Sequence, residues 1–161
     1  MAEAKIEDIL KRANQRALYL LQARDYTARQ MRNKLKHAGY SEEIAEEVVT
    51  TMQEYRYIDD LRLSGAYIRS YADSRSRRRI EQDLLQKGVS KDDIQKAFTA
   101  WTEEGNAQDE QKMIADILRK KGYKKGEGGA SEVGRMYRLL LRKGFSHEMV
   151  NKMIFSDSYF V

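Results

Sequence analysis

Leu35-Lys36-His37-Ala38-Gly39-Tyr40-Ser41, Leu84-Leu85-Gln86-Lys87-Gly88-Val89-Ser90 and Leu140-Leu141-Arg142-Lys143-Gly144-Phe145-Ser146 are three versions of one phrase, Leu-x-x-x-Gly-apolar-Ser. Its chemistry ends one helix and starts another. Glycine takes the left-handed backbone conformation that closes a helix. With glycine just beyond the C-cap, the apolar residue after it packs back on the leucine of the last turn, as in a Schellman turn. Serine then accepts a hydrogen bond from a free N–H at the start of the next helix. The apolar residue precedes that cap and can staple onto the fourth residue of the new helix, which is Ala45, Ile94 or Val150.

The stretches around the phrase read as the helices it joins. Ile6, Leu10, Ala13, Ala17 and Leu21, with Leu18 and Leu20, predict a helix over 6–24. Thr27-Ala28-Arg29-Gln30 fits a capping box opening a second helix with Met31 and Leu35 inside. A third starts at Glu42 and carries Ile44, Val48, Val49 and Met52, with Glu42 and Glu43 suited to its positive end. Asp59 is a good N-cap and Asp60 suits the first turn of a helix running to about residue 73 with Leu63, Tyr67 and Tyr71. Residues 74–79 read as a basic joint. The next pair carries Ile80 and Leu84, then Ile94, Ala97, Phe98 and Trp101. The last set begins near Asn106. It carries Met113, Ile114, Ile117 and Leu118 up to Gly122, a mobile loop at 124–129, then Val133, Met136, Tyr137 and Leu140. Met149, Val150, Met153 and Ile154 complete it, and the last helix stops in 156–161. The expected fold is all-α: three tandem three-helix repeats (1–56, 57–105 and 106–161) stacked into an elongated, curved array.

Composition agrees. Proline is absent from the 161 residues, and charged residues make up 34%. No cysteine is present, so disulfides and thiolate chemistry are excluded and a reducing cytoplasm is the expected location. No apolar run approaches the roughly 20 residues of a membrane span, and the start lacks a signal peptide's apolar stretch. His37 and His147 stand at different places relative to the phrase and read as surface or cap histidines. No zinc pattern, P-loop or dinucleotide fingerprint occurs. Asp59-Asp60 reads as a cap rather than a metal pair, and Glu42, Glu43, Glu46 and Glu47 read as a solvated face. The expectation is no enzyme, no cofactor and no metal.

The cations are more informative, in a chain of net charge +5. Arg29, Arg32 and Lys36 recur at i, i+3 and i+7 on the second helix, and Arg135, Arg138 and Arg142 repeat that spacing on the eighth. Arg75, Arg77, Arg78 and Arg79 lie between them, near Arg69. Such stripes fit a track for a phosphate backbone or an acidic protein groove. They compete with a plain reading as solubilising residues, paired as Arg77–Glu81 and Arg79–Asp83. With Arg24, these form the expected partner- or DNA-binding set. Tyr19, Tyr67, Tyr71, Phe98 and Trp101 read as packing residues. Tyr26, Tyr55 and Tyr123 read as exposed, too few for a base-stacking surface.

The sequence resembles the bacterial RecX regulatory proteins. The resemblance lies in residues 17–35, in Tyr57-Ile58-Asp59-Asp60, in the run from Arg78 to Ser90, and in Leu139 to Phe145. That family often has glycine before its Ile/Leu-Asp-Asp phrase, where this chain has Arg56-Tyr57. It also often has a glycine-containing joint where this chain has Ser74-Arg75-Ser76-Arg77. The resemblance implies an all-helical three-repeat modulator of RecA recombinase, generally an inhibitor. Such a protein lodges in the groove of the RecA–DNA filament and limits strand exchange, ATPase and coprotease activity, in recombination, repair and the SOS response. The expected partners are the filament and, more weakly, single- and double-stranded DNA, with the protein itself a monomer. The rival expectation is a general DNA-binding helical-repeat protein without a filament partner.

Overall fold

The computed structural model describes residues 2–155, so the expected chain stop in 156–161 lies outside the described residues. Among the described residues nine α-helices follow one another and no strand occurs. They are α1 (Ala2–Ala23), α2 (Ala28–His37), α3 (Glu42–Glu54), α4 (Asp60–Tyr71), α5 (Arg77–Lys87), α6 (Lys91–Glu103), α7 (Glu110–Lys120), α8 (Ala130–Arg142) and α9 (His147–Phe155). They fall into two compact units. One comprises residues up to Ala66 with Leu84–Phe98; the other comprises Tyr67–Asp83 and the residues from Thr99 onward.

The phrase does at all three places what its chemistry requires. Tyr40, Val89 and Phe145 donate their N–H to the carbonyls of Leu35, Leu84 and Leu140 at 3.1, 3.0 and 3.2 Å, the long bond of the Schellman turn. Gly39, Gly88 and Gly144 have φ of 98°, 99° and 92°. Ser41, Ser90 and Ser146 cap the following helices by accepting from the N–H of Ile44, Asp93 and Met149. Ala45, Ile94 and Val150 are buried.

Two further turns use the same hydrogen bonds with altered residues. Tyr123 donates to the Leu118 carbonyl after Gly122, and no serine follows. Tyr123 thereby takes the apolar slot and is buried, against the expectation of an exposed ring. At the end of α3, Tyr57 donates to the Met52 carbonyl and Arg56 holds the glycine position with φ of 60°. It is the one non-glycine residue with positive φ among the described residues.

In the first unit, Met31, Leu35, Ala45, Val48, Val49 and Met52 form the core, and α1 enters it through Ala13 and Ala17. Two expectations for α1 fail. Its 22 residues exceed the 10 of α2 and 13 of α3, so its first turns overhang and Ile6 is 54% exposed. Tyr19 is 71% exposed because it sits two residues, about 200° of helix, from the inward-facing Ala17. Tyr26 reverses the error: it precedes the Thr27 cap, joins the core with Met31 four residues into α2, and is buried. In the second unit the core is Met113, Ile114, Leu118, Met136, Leu140, Phe145, Val150, Met153 and Ile154.

A second use of the phrase ties the middle helices down. In the first unit, the start of α2 meets the end of α5. The Thr27 hydroxyl donates to the Lys87 carbonyl at 2.5 Å, and the Arg29 guanidinium donates to the carbonyls of Gln86 and Leu85 at 2.5 and 3.3 Å. In the second unit, the start of α5 meets the end of α8. Ser76 donates from its N–H to the Lys143 carbonyl at 2.9 Å and from its hydroxyl to the Gly144 carbonyl at 2.7 Å. Arg79 reaches the Arg142 carbonyl. Each contact places a cation on the negative end of a helix, where carbonyls lack intrahelical partners. The Ser76 hydroxyl also accepts from the Arg79 N–H. The run Arg77–Arg79 is therefore the first turn of α5 rather than the expected joint.

Gly88 and Gly144 are needed here for space as well as for φ. A Cβ on Gly88 would lie 2.5 Å from the Arg29 Cβ, and one on Gly144 would overlap Ser76 and Arg79. A Cβ on Gly39 would meet nothing within 4 Å.

Gly39→Ala should therefore cost about 1 kcal/mol, the strain of a left-handed alanine. Gly88→Ala should cost about 3 kcal/mol, because it also displaces Arg29 from charged hydrogen bonds. Urea unfolding of the two variants side by side checks the difference. Arg56→Gly should raise stability by about 1 kcal/mol by relieving the same strain, visible as a shift in the urea midpoint at unchanged slope.

Candidate partner-binding surface

Several of the expected contact residues are committed inside the molecule. In the first unit, Arg32 forms a two-point pair with Glu46 at 2.6 and 3.0 Å. That bond holds the Glu46 carboxyl below the ordinary carboxylate range. Lys36 lies 3.6 Å from Glu42, and Arg29 serves the α5 carbonyls. The Arg24 guanidinium covers the Tyr26 ring at 4.2 Å. The first stripe is thus largely spent on its own unit.

The middle cluster is divided. Arg75 sits between Asp83, at 2.7 Å, the Tyr67 hydroxyl, at 2.7 Å, and the Tyr71 ring, at 3.9 Å. Arg79 bonds the other Asp83 oxygen at 2.9 Å. The Asp83 side chain is 12% exposed. Burial opposes its charge, but hydrogen bonds from Tyr67, Arg79 and Arg75 outweigh burial and hold its carboxyl below the usual range. Burial, with the bond to Asp83, pushes the Tyr67 hydroxyl up to about 12. Arg77 pairs with Glu81 at 2.8 Å. Arg78 is exposed, and its side chain has no partner among the described residues.

Of the expected contact residues, those without a hydrogen bond or ion pair, Arg24 aside, lie in the second unit. Arg69, Arg135, Arg138 and Arg142 are exposed, and their side chains have no hydrogen-bond or ion-pair partner among the described residues. Arg135, Arg138 and Arg142 share one face of α8, opposite Met136 and Leu140 in the core. The α8 stripe is therefore free where the α2 stripe is paired.

The same unit contains a cleft of about 540 Å³ that sequence reasoning missed. Ala72, Asp73 and Ser74 form one wall, α7 another, and Lys112, Lys120, Lys121 and Lys143 ring it. Gln108 lines it and donates to the carbonyls of Ala72 and Arg75 at 2.9 and 2.8 Å. Burial, then the charges of Arg75, Lys121, Arg142 and Arg79, push the Lys143 ammonium below the ordinary lysine range. The adjacent Lys120 and Lys121 were the signal available in the sequence, but nothing there brought Lys143 beside them. Among the described residues no group of acidic and histidine side chains gathers into a metal-binding set, and no helix is long and apolar enough to cross a membrane.

Comparison with known proteins follows the helical plan. Residues 13–52 match the family model for the first three-helix domain of RecX, and 59–97 match that for the second. A regulatory protein RecX of Caldanaerobacter subterraneus subsp. tengcongensis is 30% identical over 145 residues, covering 89% of this chain and 70% of the relative. One from Leuconostoc mesenteroides is 31% identical over 159 residues, covering 96% of this chain but 57% of the relative. A crystal structure of regulatory protein RecX superposes with a TM-score of 0.72 at 25% identity, covering 95% of this chain and 76% of that one. RecX from Lactobacillus salivarius has the same fold, with a TM-score of 0.66 at 17% identity over 92% of this chain and 96% of that one.

Asp83 should be a structural carboxylate. Asp83→Asn should lower stability at neutral pH by about 2 kcal/mol, having left two arginines without their anion. Because the folded-state pKa is depressed, this stabilisation is fully present above the ordinary aspartate pKa and lost as pH falls through the depressed value. Denaturation curves from neutral to acid pH should converge for wild type and Asp83→Asn; parallel curves would remove Asp83 from this role.

Proposed function

The chain belongs to the RecX family of regulatory proteins, and from that premise we propose that it modulates the RecA recombinase by binding the RecA–DNA filament in its groove. The proposed effect is inhibition: the bound protein limits strand exchange, ATPase and coprotease activity by excluding a second duplex and biasing filament growth. Helices α7–α9 are read as the third repeat of an elongated array, and the protein as a cytoplasmic monomer without catalytic activity. What carries the reading is the charge left over after internal pairing. The exposed arginines of α8 have no partner of their own, and an anionic surface is what they fit.

Each exposed ion contact is worth at most about 1 kcal/mol, so the contacts must act together and affinity must fall steeply with salt. This assigns the contact role to Arg135, Arg138, Arg142, Arg69 and Arg78, with Arg24 as an exposed neighbour of Tyr26. It reads Arg29, Arg32, Lys36, Arg75, Arg77 and Arg79 chiefly as supports for the fold.

The second reading, a general DNA binder without a filament partner, draws on the same arginines. Pull-down on recombinase filaments beside bare single- and double-stranded DNA separates the two, since filament binding well above bare-DNA binding favours the modulator. An Arg135→Glu/Arg138→Glu/Arg142→Glu variant should melt as wild type does, and should need about a hundredfold more protein for the same ATPase inhibition. Inhibition at wild-type concentrations by that folded variant would remove α8 from the interface.

A further inference from the structure

The phrase occurs three times, and two of its copies hold a helix start. The carbonyls at the end of α5 receive Thr27 and Arg29, and those at the end of α8 receive Ser76 and Arg79. In both cases the guest is a hydroxyl cap followed within three residues by arginine, and in both a Cβ on the phrase glycine would strike it. The copy at the end of α2 has the same backbone. Gly39 has φ of 98°, and Tyr40 closes the Schellman bond on Leu35. Yet Ala38 and Gly39 are exposed, whereas their counterparts Lys87, Gly88, Lys143 and Gly144 are half-buried under their guests. Among the described residues, the carbonyls of His37, Ala38 and Gly39 accept nothing from another element.

We infer that the end of α2 is a third docking socket of this kind, and that its guest is the first turn of a helix from a partner protein, beginning Ser or Thr and carrying Arg two or three residues on. Charge complementarity supports this: a helix C-terminus presents partial negative charge to the guanidinium. The basic side chains around the socket do not forbid it, because Lys87, Arg142 and Lys143 flank the two filled sockets in the same way. A second copy of this chain is a poor guest. Its remaining serine-capped helices begin Ser41-Glu42-Glu43, Ser90-Lys91-Asp92 and Ser146-His147-Glu148, with no arginine in range. The inference stands apart from the recombinase reading, since it names the guest by its chemistry and uses a different surface from the α8 arginines.

The test uses the full chain labelled with 15N and a blocked peptide of residues 74–87, the natural guest of the α8 socket. Saturable amide shifts centred on residues 36–41 are expected. A peptide carrying Ser76→Ala and Arg79→Ala should bind at least about tenfold more weakly, having lost one hydroxyl and one charged hydrogen bond. Gly39→Ala in the chain supplies the second arm. Its methyl meets nothing in the free protein, so the fold should persist, but it should obstruct the guest and abolish the shifts. Equal binding of the two peptides, unchanged binding by Gly39→Ala, or shifts centred on Gly88 or Gly144 would overturn the inference. So would shifts at 36–41 that depend on the concentration of the chain alone, which would make a second copy the guest. The assay contains neither recombinase nor DNA, so its failure leaves the proposed function standing.

Discussion

The contact on which the architecture depends is a helix start hydrogen-bonded into a helix end. An α-helix leaves carbonyls unsatisfied at its C-terminus, and burying them unpaired is costly. This chain meets that cost with a hydroxyl and a guanidinium from another helix. Helix α5 takes part twice, giving Ser76 and Arg79 to the end of α8 and presenting its own carbonyls to Thr27 and Arg29. Each of the two contacts depends on a glycine that leaves room for its guest. Hydrophobic burial supplies most of the stabilisation within each unit, while these polar contacts fix which helix end meets which helix start.

Local chemistry was legible in the sequence wherever it was complete. Leu-x-x-x-Gly-apolar-Ser contains every residue of its turn and cap, so all three hinges could be read before any coordinates. The helix end at Gly122 was legible from its glycine, although without the serine it did not show as a copy of the phrase; the turn at Arg56 lacked the glycine and was disguised, although its hydrogen bonds are the same. Tyr26 and Tyr123 were misjudged because each occupies the apolar slot of a cap, a place that tyrosine's polar tip hides from a hydropathy reading. The overhang of α1 depends on the relative lengths of three helices, which periodicity alone does not compare.

The candidate surface was legible only in part, for a physical reason. Sequence spacing identifies cations that share a helix face, but an ion pair is decided by the facing element. Arg29, Arg32 and Lys36 have the same spacing as Arg135, Arg138 and Arg142, yet the first three are answered by carbonyls, Glu46 and Glu42 while the last three are not. Arg75 and Arg79 likewise converge on one carboxylate, turning part of a basic cluster into a half-buried support. The lysine-ringed cleft required α7 and the end of α8 to meet, which no local pattern encodes.

The helix-end contacts are chemically one-sided, and that has an evolutionary consequence. Apart from the Ser76 N–H, the donors are side chains, those of Thr27, Arg29, Ser76 and Arg79, whereas the acceptors are main-chain carbonyls that any residue supplies. Residues 85–87 and 142–143 are therefore free to drift without compensating change across the contact. Methods that find contacts from paired substitutions would be blind to these junctions, because a substitution on the carbonyl side leaves the acceptor in place and calls for no answering change. The arginines would then look like candidates for an external ligand, although what holds them in place is the backbone of their own chain.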